Sequence, residues 1–217
     1  MSLVLGIDCC SGWTNTGLVE DGLPLGEINI KSGRNQASLL PVLVSDLLQN
    51  CGKNLEDLEL ISVTSGPGYF TGIRVGMSYA SAIATGLNIR VVTLSSLETL
   101  IPQGLPEGTF SISAIPSGKN KIFAAVYKKN FLITGPGQYY PEELSFHITS
   151  FLDLPTISCY TTEPEKTGKI LSNTGISMIK ASISRGITVA AKGNAKAERS
   201  LLPDQIRPLY LADPQTS

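Results

Sequence analysis

Residues 65–76 of the chain read Ser65-Gly66-Pro67-Gly68-Tyr69-Phe70-Thr71-Gly72-Ile73-Arg74-Val75-Gly76. They follow an apolar run at 60–64 that is typical of a buried strand, and they lead into a segment, 71–86, interrupted only by glycine. Backbone N–H groups at such a strand–loop–helix junction can face an anion or a partner. Thr71 is the predicted N-cap of the helix. The loop is not a Walker A loop, because no Gly-Lys-Ser/Thr follows the glycines, and the glycine spacing excludes a dinucleotide fingerprint.

The glycine loop, residues 66–74, is the first candidate site. Tyr69 and Phe70 could form a platform for a base or a partner, although an aromatic beside glycines more often fills the edge of a core. Arg74 could meet an anion or form a structural ion pair. The candidate residues of the loop are Gly66, Pro67, Gly68, Tyr69, Phe70, Thr71, Gly72 and Arg74.

Composition places the chain among globular proteins. Its 217 residues are 42% hydrophobic, enough for one large domain or two small ones. No apolar run reaches the length of a membrane span, and no basic leader precedes Asp8. The four cysteines form no C-x-x-C pair, which favours reduced thiols. We therefore expect a cytoplasmic protein without a membrane partner.

Charge is unevenly distributed along the chain. Residues 166–207 carry eight basic and two acidic side chains, a net charge of +6, whereas residues 1–165 carry nine basic and fifteen acidic ones, a net charge of −6. The basic segment predicts a salt-sensitive contact with nucleic acid through Lys192, Lys196 and Arg199. The alternative is a solvated helix face.

Hydrophobic periodicity predicts two similar halves. The first has strands at 3–8, 16–20 and 23–30, a helix at 35–51, a strand at 60–64, a helix at 71–86, a strand at 89–93 and a short helix from Ser95. The second has strands at 109–115, 121–127 and 131–134, a helix at 141–151, a strand near 155–160 and a helix at 172–185. The pattern predicts a duplicated β-β-β-α-β-α fold of the α/β class with a reduced second half, divided into domains 1–104 and 105–217.

The first two long helices have more apolar surface than one sheet needs. In the helix at 71–86 only Arg74, Ser78, Ser81 and Thr85 form a polar strip. We therefore predict a partner surface on both helices, against the alternative that they bury this surface within their own domain. Its predicted residues are Leu39, Leu40, Leu43, Leu47, Gly72, Gly76, Ala80 and Ala84.

The turn after the first strand is a candidate phosphate site. Asp8 ends the strand, and Ser11, Gly12 and Thr14 follow in the turn. The alternative is an aspartate that caps its own turn.

The glycine loop also carries a family resemblance. Residues 66–76 resemble the G-P-G-S-F-T-G-L-R-I-G signature of the bacterial TsaB (YeaZ) family, whose members are partners in making threonylcarbamoyladenosine on tRNA. The similarity extends to Leu5-Gly6-Ile7-Asp8, Ser38-Leu39-Leu40-Pro41 and Arg207-Pro208-Leu209-Tyr210-Leu211, and covers the first half well and the second loosely. The chain departs from the family at Asn35-Gln36, where many members have His-Ser or His-Thr.

The resemblance implies the actin-like fold of the actin, Hsp70 and sugar-kinase (ASKHA) superfamily. Kinases of that superfamily keep a metal-linked acid where Asp8 stands. Pro116 occupies the corresponding acidic position in the second half, so half of the nucleotide clamp is lost, although Lys119 could still meet a phosphate. The catalytic paralogue TsaD carries an H-x-x-x-H metal pair, and His147, the single histidine, cannot form one. No metal site is therefore expected.

The resemblance further implies a non-catalytic subunit. It would pair with a TsaD-like paralogue in threonylcarbamoyl transfer to the adenosine beside the anticodon of ANN-decoding tRNAs. A TsaE-like ATPase would join through the complex, ATP and tRNA would bind only within the assembly, and the chain alone would form a homodimer. One alternative is a free-standing small-molecule kinase. The other is a peptidase, and the single histidine nearly excludes that class.

Overall fold

The computed structural model describes residues 2–118, 120–149 and 157–212. It contains ten strands: β1 Leu3–Asp8, β2 Trp13–Glu20, β3 Leu23–Lys31, β4 Leu58–Thr64, β5 Arg90–Leu94, β6 Phe110–Pro116, β7 Ile122–Lys128, β8 Phe131–Tyr139, β9 Ser158–Thr161 and β10 Met178–Ala181. The α-helices are α1 Gln36–Asn50, α2 Phe70–Leu87, α3 Ser96–Leu100, α4 Pro141–Thr149, α5 Pro164–Ile170 and α6 Gly186–Asn194. Among the described residues no helix is long and apolar enough to cross a membrane.

The chain divides into two compact units, and the first is discontinuous in sequence. It combines residues 1–99 with the late segment Ser184–Leu209. Its sheet has the order β3-β2-β1-β4-β5, in which β1, β2 and β3 are antiparallel and β1, β4 and β5 are parallel.

Both faces of the first sheet are covered by helices. Leu5 and Ile7 of β1 belong to the core beneath α1 and α2, whereas Val4 packs with Val189 and Ala190 of α6. This alternation follows from the two-residue period of a strand. Helix α6 comes so close to the sheet that a Cβ on Gly6 would lie 2.3 Å from the carbonyl oxygen of Gly186.

The second unit repeats this topology on a smaller scale. It comprises residues 100–183 with the segment that begins at Tyr210, and its sheet has the order β8-β7-β6-β9-β10, the counterpart of the first. Helices α4 and α5 have 9 and 7 residues, against 15 and 18 in α1 and α2. Its core is formed by side chains such as Ile112, Val126, Leu144 and Leu171. The predicted duplicated α/β fold with a reduced second half is confirmed.

Two predictions about the later part of the chain are wrong. In place of the helix predicted at 172–185, the structure has a turn that contains Gly175 at a φ of 83°, followed by β10, and helix α5 ends before this segment at Ile170. The segment Ser184–Leu209, which we assigned to the second domain, packs in the first unit. The first boundary between the two units lies between Thr99 and Leu100, near the domain boundary predicted between residues 104 and 105. Residues 150–151 of the predicted fourth helix and 155–156 of the following strand lie outside the described residues.

Candidate functional site

The glycine loop joins β4 to α2 and is anchored on both sides. The Ser96 N–H donates to the carbonyl oxygen of Gly66 at 2.9 Å, and the Ser96 hydroxyl donates to that of Pro67. The Leu209 N–H donates to the carbonyl oxygen of Ser65 at 2.7 Å. The backbone of the loop is therefore fixed by residues far away in the sequence.

Beneath the loop lies the turn between β1 and β2, residues 9–12. The Tyr69 N–H donates to the carbonyl oxygen of Cys10 at 2.8 Å. A Cβ on Gly68 would lie 2.0 Å from the same oxygen, and a Cβ on Gly72 would lie 1.9 Å from the carbonyl oxygen of Cys9. These glycines are needed because two stretches of backbone come into contact here.

Gln36, the first residue of α1, holds the same turn from the other side. Its side chain is 4% exposed, and its Nε2 lies 3.0, 2.9 and 2.9 Å from the carbonyl oxygens of Cys9, Ser11 and Trp13. Sequence reasoning missed this role. The available signal was the departure of Asn35-Gln36 from the family pattern.

Asp8 lies in a closed polar cluster at the end of β1. Its carboxylate is 1% exposed and accepts hydrogen bonds from the Thr64 hydroxyl at 2.5 Å, Asn15 Nδ2 at 3.1 Å and the Cys10 N–H at 3.2 Å. Burial raises the pKa of Asp8, although these hydrogen bonds, that of Thr64 first, oppose the shift. The Cys10 thiol donates to Thr64 Oγ1 at 3.1 Å.

The structure corrects the predicted phosphate site at two of its four residues. The hydroxyl of Thr14 is buried and lies 2.7 Å from Ser32 Oγ, so both Asp8 and Thr14 direct their polar atoms into the core. Ser11 and Gly12 are partly exposed, and the Ser11 hydroxyl accepts the Trp13 N–H at 3.2 Å. Asp8 thus matches the alternative of a strand-end aspartate that binds its own turn.

Aromatic side chains lie on the outer surface of the glycine loop. Tyr69 is 57% exposed and Phe70 is half-buried, and the guanidinium carbon of Arg74 lies 3.8 Å from the centroid of the Phe70 ring. Tyr69 occupies the N-cap position and α2 begins at Phe70, so the prediction of Thr71 as N-cap is wrong. Thr71 is exposed within the first turn.

Seven of the eight residues predicted to form a partner surface lie in the core, so their choice is wrong, whereas Leu39 stays a prediction. Leu43 is 5% exposed and Ala80 is fully buried, because both helices pack on the sheet and on each other. The buried residues of the predicted surface are Leu40, Leu43, Leu47, Gly72, Gly76, Ala80 and Ala84. Leu39 is half-buried. The helices expose other apolar residues: Val42 is 53% exposed, and Val75, Tyr79 and Ile83 are half-buried.

The predicted basic face is also corrected. Lys192 is buried, and its ammonium donates to the carbonyl oxygen of Glu98 at 2.8 Å. Burial lowers the pKa of Lys192 to about 8. Lys196 pairs with the Glu98 carboxylate at 2.5 Å, and exposed Arg199 lies 3.5 Å from Glu198. Two of the three residues are therefore engaged within the first unit.

The second unit offers less chemistry. Pro116 ends β6, and Lys119 lies outside the described residues. His147 lies on α4, with ring centroids 5.7 Å from Tyr139 and 6.3 Å from Phe146. In the part of the chain that the structure describes, no three His, Cys, Asp or Glu side chains are grouped so that they could hold a metal ion.

Comparison with known proteins identifies the family. The family model described as TsaD, tRNA N6-adenosine threonylcarbamoyltransferase, matches residues 30–184. The chain belongs to this family. Within it, the chain is similar to the tRNA threonylcarbamoyladenosine biosynthesis protein TsaB of Bacillus subtilis, with 28% identity over 60% of this chain and 57% of the relative. It is also similar to TsaB of Escherichia coli, with 26% identity over 58% of this chain and 55% of the relative. The matches thus span just over half of these relatives, and the resemblance to TsaB is confirmed.

Solved structures establish the fold. A Pseudomonas aeruginosa protein described as similar to peptidase YeaZ has a TM-score of 0.81 at 22% identity, covering 98% of this chain and all of that one. A Clostridium difficile activator of 2-hydroxyisocaproyl-CoA dehydratase, solved with bound ADPNP, has a TM-score of 0.54 at 10% identity, covering 96% and 99%. The predicted actin-like fold is confirmed.

Proposed function

We propose that the chain acts in tRNA threonylcarbamoyladenosine biosynthesis as a non-catalytic subunit. It pairs with a TsaD-like paralogue, which transfers the threonylcarbamoyl group to the adenosine beside the anticodon. The names of the TsaB relatives support the pathway. The match of the TsaD family model supports a paralogous partner.

The observation that supports a non-catalytic role is that the Asp8 carboxylate is buried and hydrogen-bonded inside the core. A carboxylate that binds a metal-linked nucleotide has to present its oxygens to the ligand. In this chain both Asp8 oxygens accept hydrogen bonds inside the core, and the turn beneath the glycine loop is held by Gln36. Nucleotide binding by this chain alone would require that cluster to open. We therefore propose that ATP binds only within the assembled complex.

The partner surface is proposed on the exposed side of α1 and α2. Val42 is its most exposed large hydrophobic residue, and Val75, Tyr79 and Ile83 are partly accessible. Each helix carries a single charged residue, Asp46 in α1 and Arg74 in α2. The centres of stable protein interfaces are similarly poor in charge. The same surface would form a homodimer when the chain is alone.

Other components join the proposed assembly indirectly. A TsaE-like ATPase and the tRNA bind the complex rather than this chain, whose basic residues Lys192 and Lys196 are engaged internally. Such a complex would work in the cytoplasm, where its tRNA substrate is found.

Reconstitution tests the proposal. The chain is mixed with the TsaD-like paralogue and the other pathway proteins of the same organism, and threonylcarbamoyladenosine on tRNA is measured by mass spectrometry of nucleosides. We expect modification to need the chain and to fall at least about tenfold in Val42→Arg, as pairing weakens. Leu23→Arg, at another exposed apolar residue, is the matched control and should retain activity.

The alternative of a free-standing kinase has a distinct outcome. ATP turnover by the chain alone, at about 1 per second with a small-molecule acceptor, would support the kinase and defeat the non-catalytic role. Full modification without the chain would also defeat the proposal.

A further inference from the structure

Residues Ser200–Leu209, which include a turn at 203–205, form a strap along the first unit. At its outer end the strap meets the edge of the sheet, where Val91 and Leu201 exchange backbone hydrogen bonds of 3.0 and 2.8 Å. Arg90 reinforces this contact, because its Nε donates to Ser200 Oγ at 2.9 Å and its Nη2 donates to the Ser200 carbonyl oxygen at 2.5 Å. The strap therefore pairs with the edge strand β5 at one bridge, between Val91 and Leu201.

The middle of the strap follows α2. The Ser81 hydroxyl, on the polar strip of that helix, donates to the carbonyl oxygen of Pro203 at 2.9 Å. Ile206 is 8% exposed and joins the core beneath α1 and α2. It is the only buried side chain in residues 200–209, all of which the structure describes.

The inner end of the strap reaches the glycine loop. The Leu209 N–H donates to the carbonyl oxygen of Ser65, and a Cβ on Gly66 would lie 2.7 Å from the carbonyl oxygen of Leu209. The strap thus supplies one of the backbone contacts that hold the loop, together with Ser96 and Cys10.

We propose that the strap is a conformational latch on the glycine loop. With a single buried side chain, it detaches at a lower free energy than the sheet unfolds. Detachment removes the hydrogen bond at Ser65 and the packing on Gly66, so the loop gains mobility while the sheet stays folded. The two ends of the strap are connected through Ile206. A change in the contacts of Arg90 or Ser81 with the strap would therefore alter the mobility of the loop, although neither residue binds the loop.

The strap and the glycine loop influence each other in both directions. Attachment of the strap stabilises the present conformation of the loop, and by linkage that conformation of the loop stabilises the attached strap to the same extent. A ligand or partner that needs the loop in its present conformation would tighten the strap, and one that displaces the strap would loosen the loop. This inference concerns the chain by itself and does not depend on the proposed function.

Amide hydrogen exchange of the whole chain tests the latch residue by residue. Leu201 and Val91 amides report on the outer end of the strap, those of Tyr69 and Ser96 report on the loop, and those within β1 and β4 report on the sheet. In Arg90→Ala we expect exchange to speed up about tenfold at Leu201 and at least about threefold at Tyr69 and Ser96, with the sheet unchanged. Arg34→Ala, at an exposed arginine elsewhere in the unit, is the control.

Leu209→Pro provides a second variant, because proline removes the N–H that binds Ser65. Faster exchange of the loop is expected in Leu209→Pro but not in Leu209→Ala, which keeps the N–H. If Leu209→Pro speeds exchange throughout the sheet, the substitution has unfolded the unit as a whole, and the test of the latch then rests on Arg90→Ala. The latch is refuted if Arg90→Ala frees Leu201 and leaves the amides of Tyr69 and Ser96 unchanged.

Discussion

Gly72 and Cys9 are in such close contact that a Cβ on Gly72 would lie 1.9 Å from the carbonyl oxygen of Cys9. The first turn of α2 therefore rests directly on the turn after β1. Because Gly72 is buried in this contact, it is not accessible to a second protein. The glycine signature of the loop is explained by packing within the chain, and the partner surface that we propose lies instead on the outer side of α1 and α2.

Replacing Gly72 by alanine should destabilise the chain. The new methyl group would overlap the backbone of Cys9, so the helix or the turn must move, at a cost of about 2–4 kcal/mol in the free energy of unfolding. The measurement is urea unfolding followed by circular dichroism. Gly86→Ala in the same helix is the control, because a Cβ there meets nothing within 4 Å and should stabilise the protein by about 0.5–1 kcal/mol. Equal stability of the two variants would disprove the close contact.

Gln36 should be essential to the turn it holds. Gln36→Ala leaves carbonyl oxygens of the turn without their donor, and we expect a loss of about 1–3 kcal/mol in unfolding free energy. Gln36→Glu should cost at least as much at neutral pH, because a carboxylate would face three carbonyl oxygens. Gln49→Glu, at an exposed position of α1, is the matched control and should change stability little. A stable Gln36→Glu variant would contradict the assigned contacts.

Asp8 should make stability depend on pH. The pKa of Asp8 is higher in the folded chain than the value of 3.8 expected after unfolding, so the folded state binds more protons between the two pKa values. The unfolding free energy therefore falls as the pH rises from about 4 through the folded pKa.

The Asp8→Asn variant lacks this titration. Its stability relative to the wild type should increase as the pH rises through the same range, and the amide of Asn15 can rotate so that its Oδ1 accepts from the new side chain. Urea unfolding from pH 4 to pH 8 measures the difference. Asp46→Asn, at an exposed position of α1, is the control. A difference independent of pH would contradict a raised pKa of Asp8.

Lys192 should make the unfolding free energy rise with pH in the alkaline range, which is opposite in sign to the effect of Asp8. Burial lowers its pKa in the folded chain to about 8 from 10.5, so the unfolded state binds more protons between these values. The contribution of Lys192 to the unfolding free energy therefore rises between about pH 8 and pH 10.5, by at most about 3 kcal/mol.

Lys192→Met should remove this rise, while Lys196 still pairs with Glu98. The difference in unfolding free energy between wild type and variant, followed from pH 7 to pH 10.5, isolates the lysine, because the contributions of all other groups that the two proteins share cancel. Lys31→Met, at an exposed residue, should give a flat difference. A flat difference for Lys192→Met would contradict its burial.

The sequence was informative where the pattern of side chains is local. The continuous apolar runs in β1 and β4 predicted buried strands, and the apolar positions of α1 predicted a helix with one buried side. Helical periodicity could not show that Ala80 packs on the chain's own sheet rather than on a partner. The burial of Lys192 depends on Glu98, 94 residues earlier, and no local pattern reports such a contact.

The late position of α6 in the chain has a consequence for synthesis. When a ribosome has completed the first 183 residues, all five strands of the first sheet exist, but the helix that covers Val4 and packs against Gly6 has not been made. The sheet then exposes an apolar face throughout the translation of the second unit, and exposed faces of this kind favour aggregation. We therefore expect the nascent chain to be prone to aggregation until α6 has been made and has packed on this face.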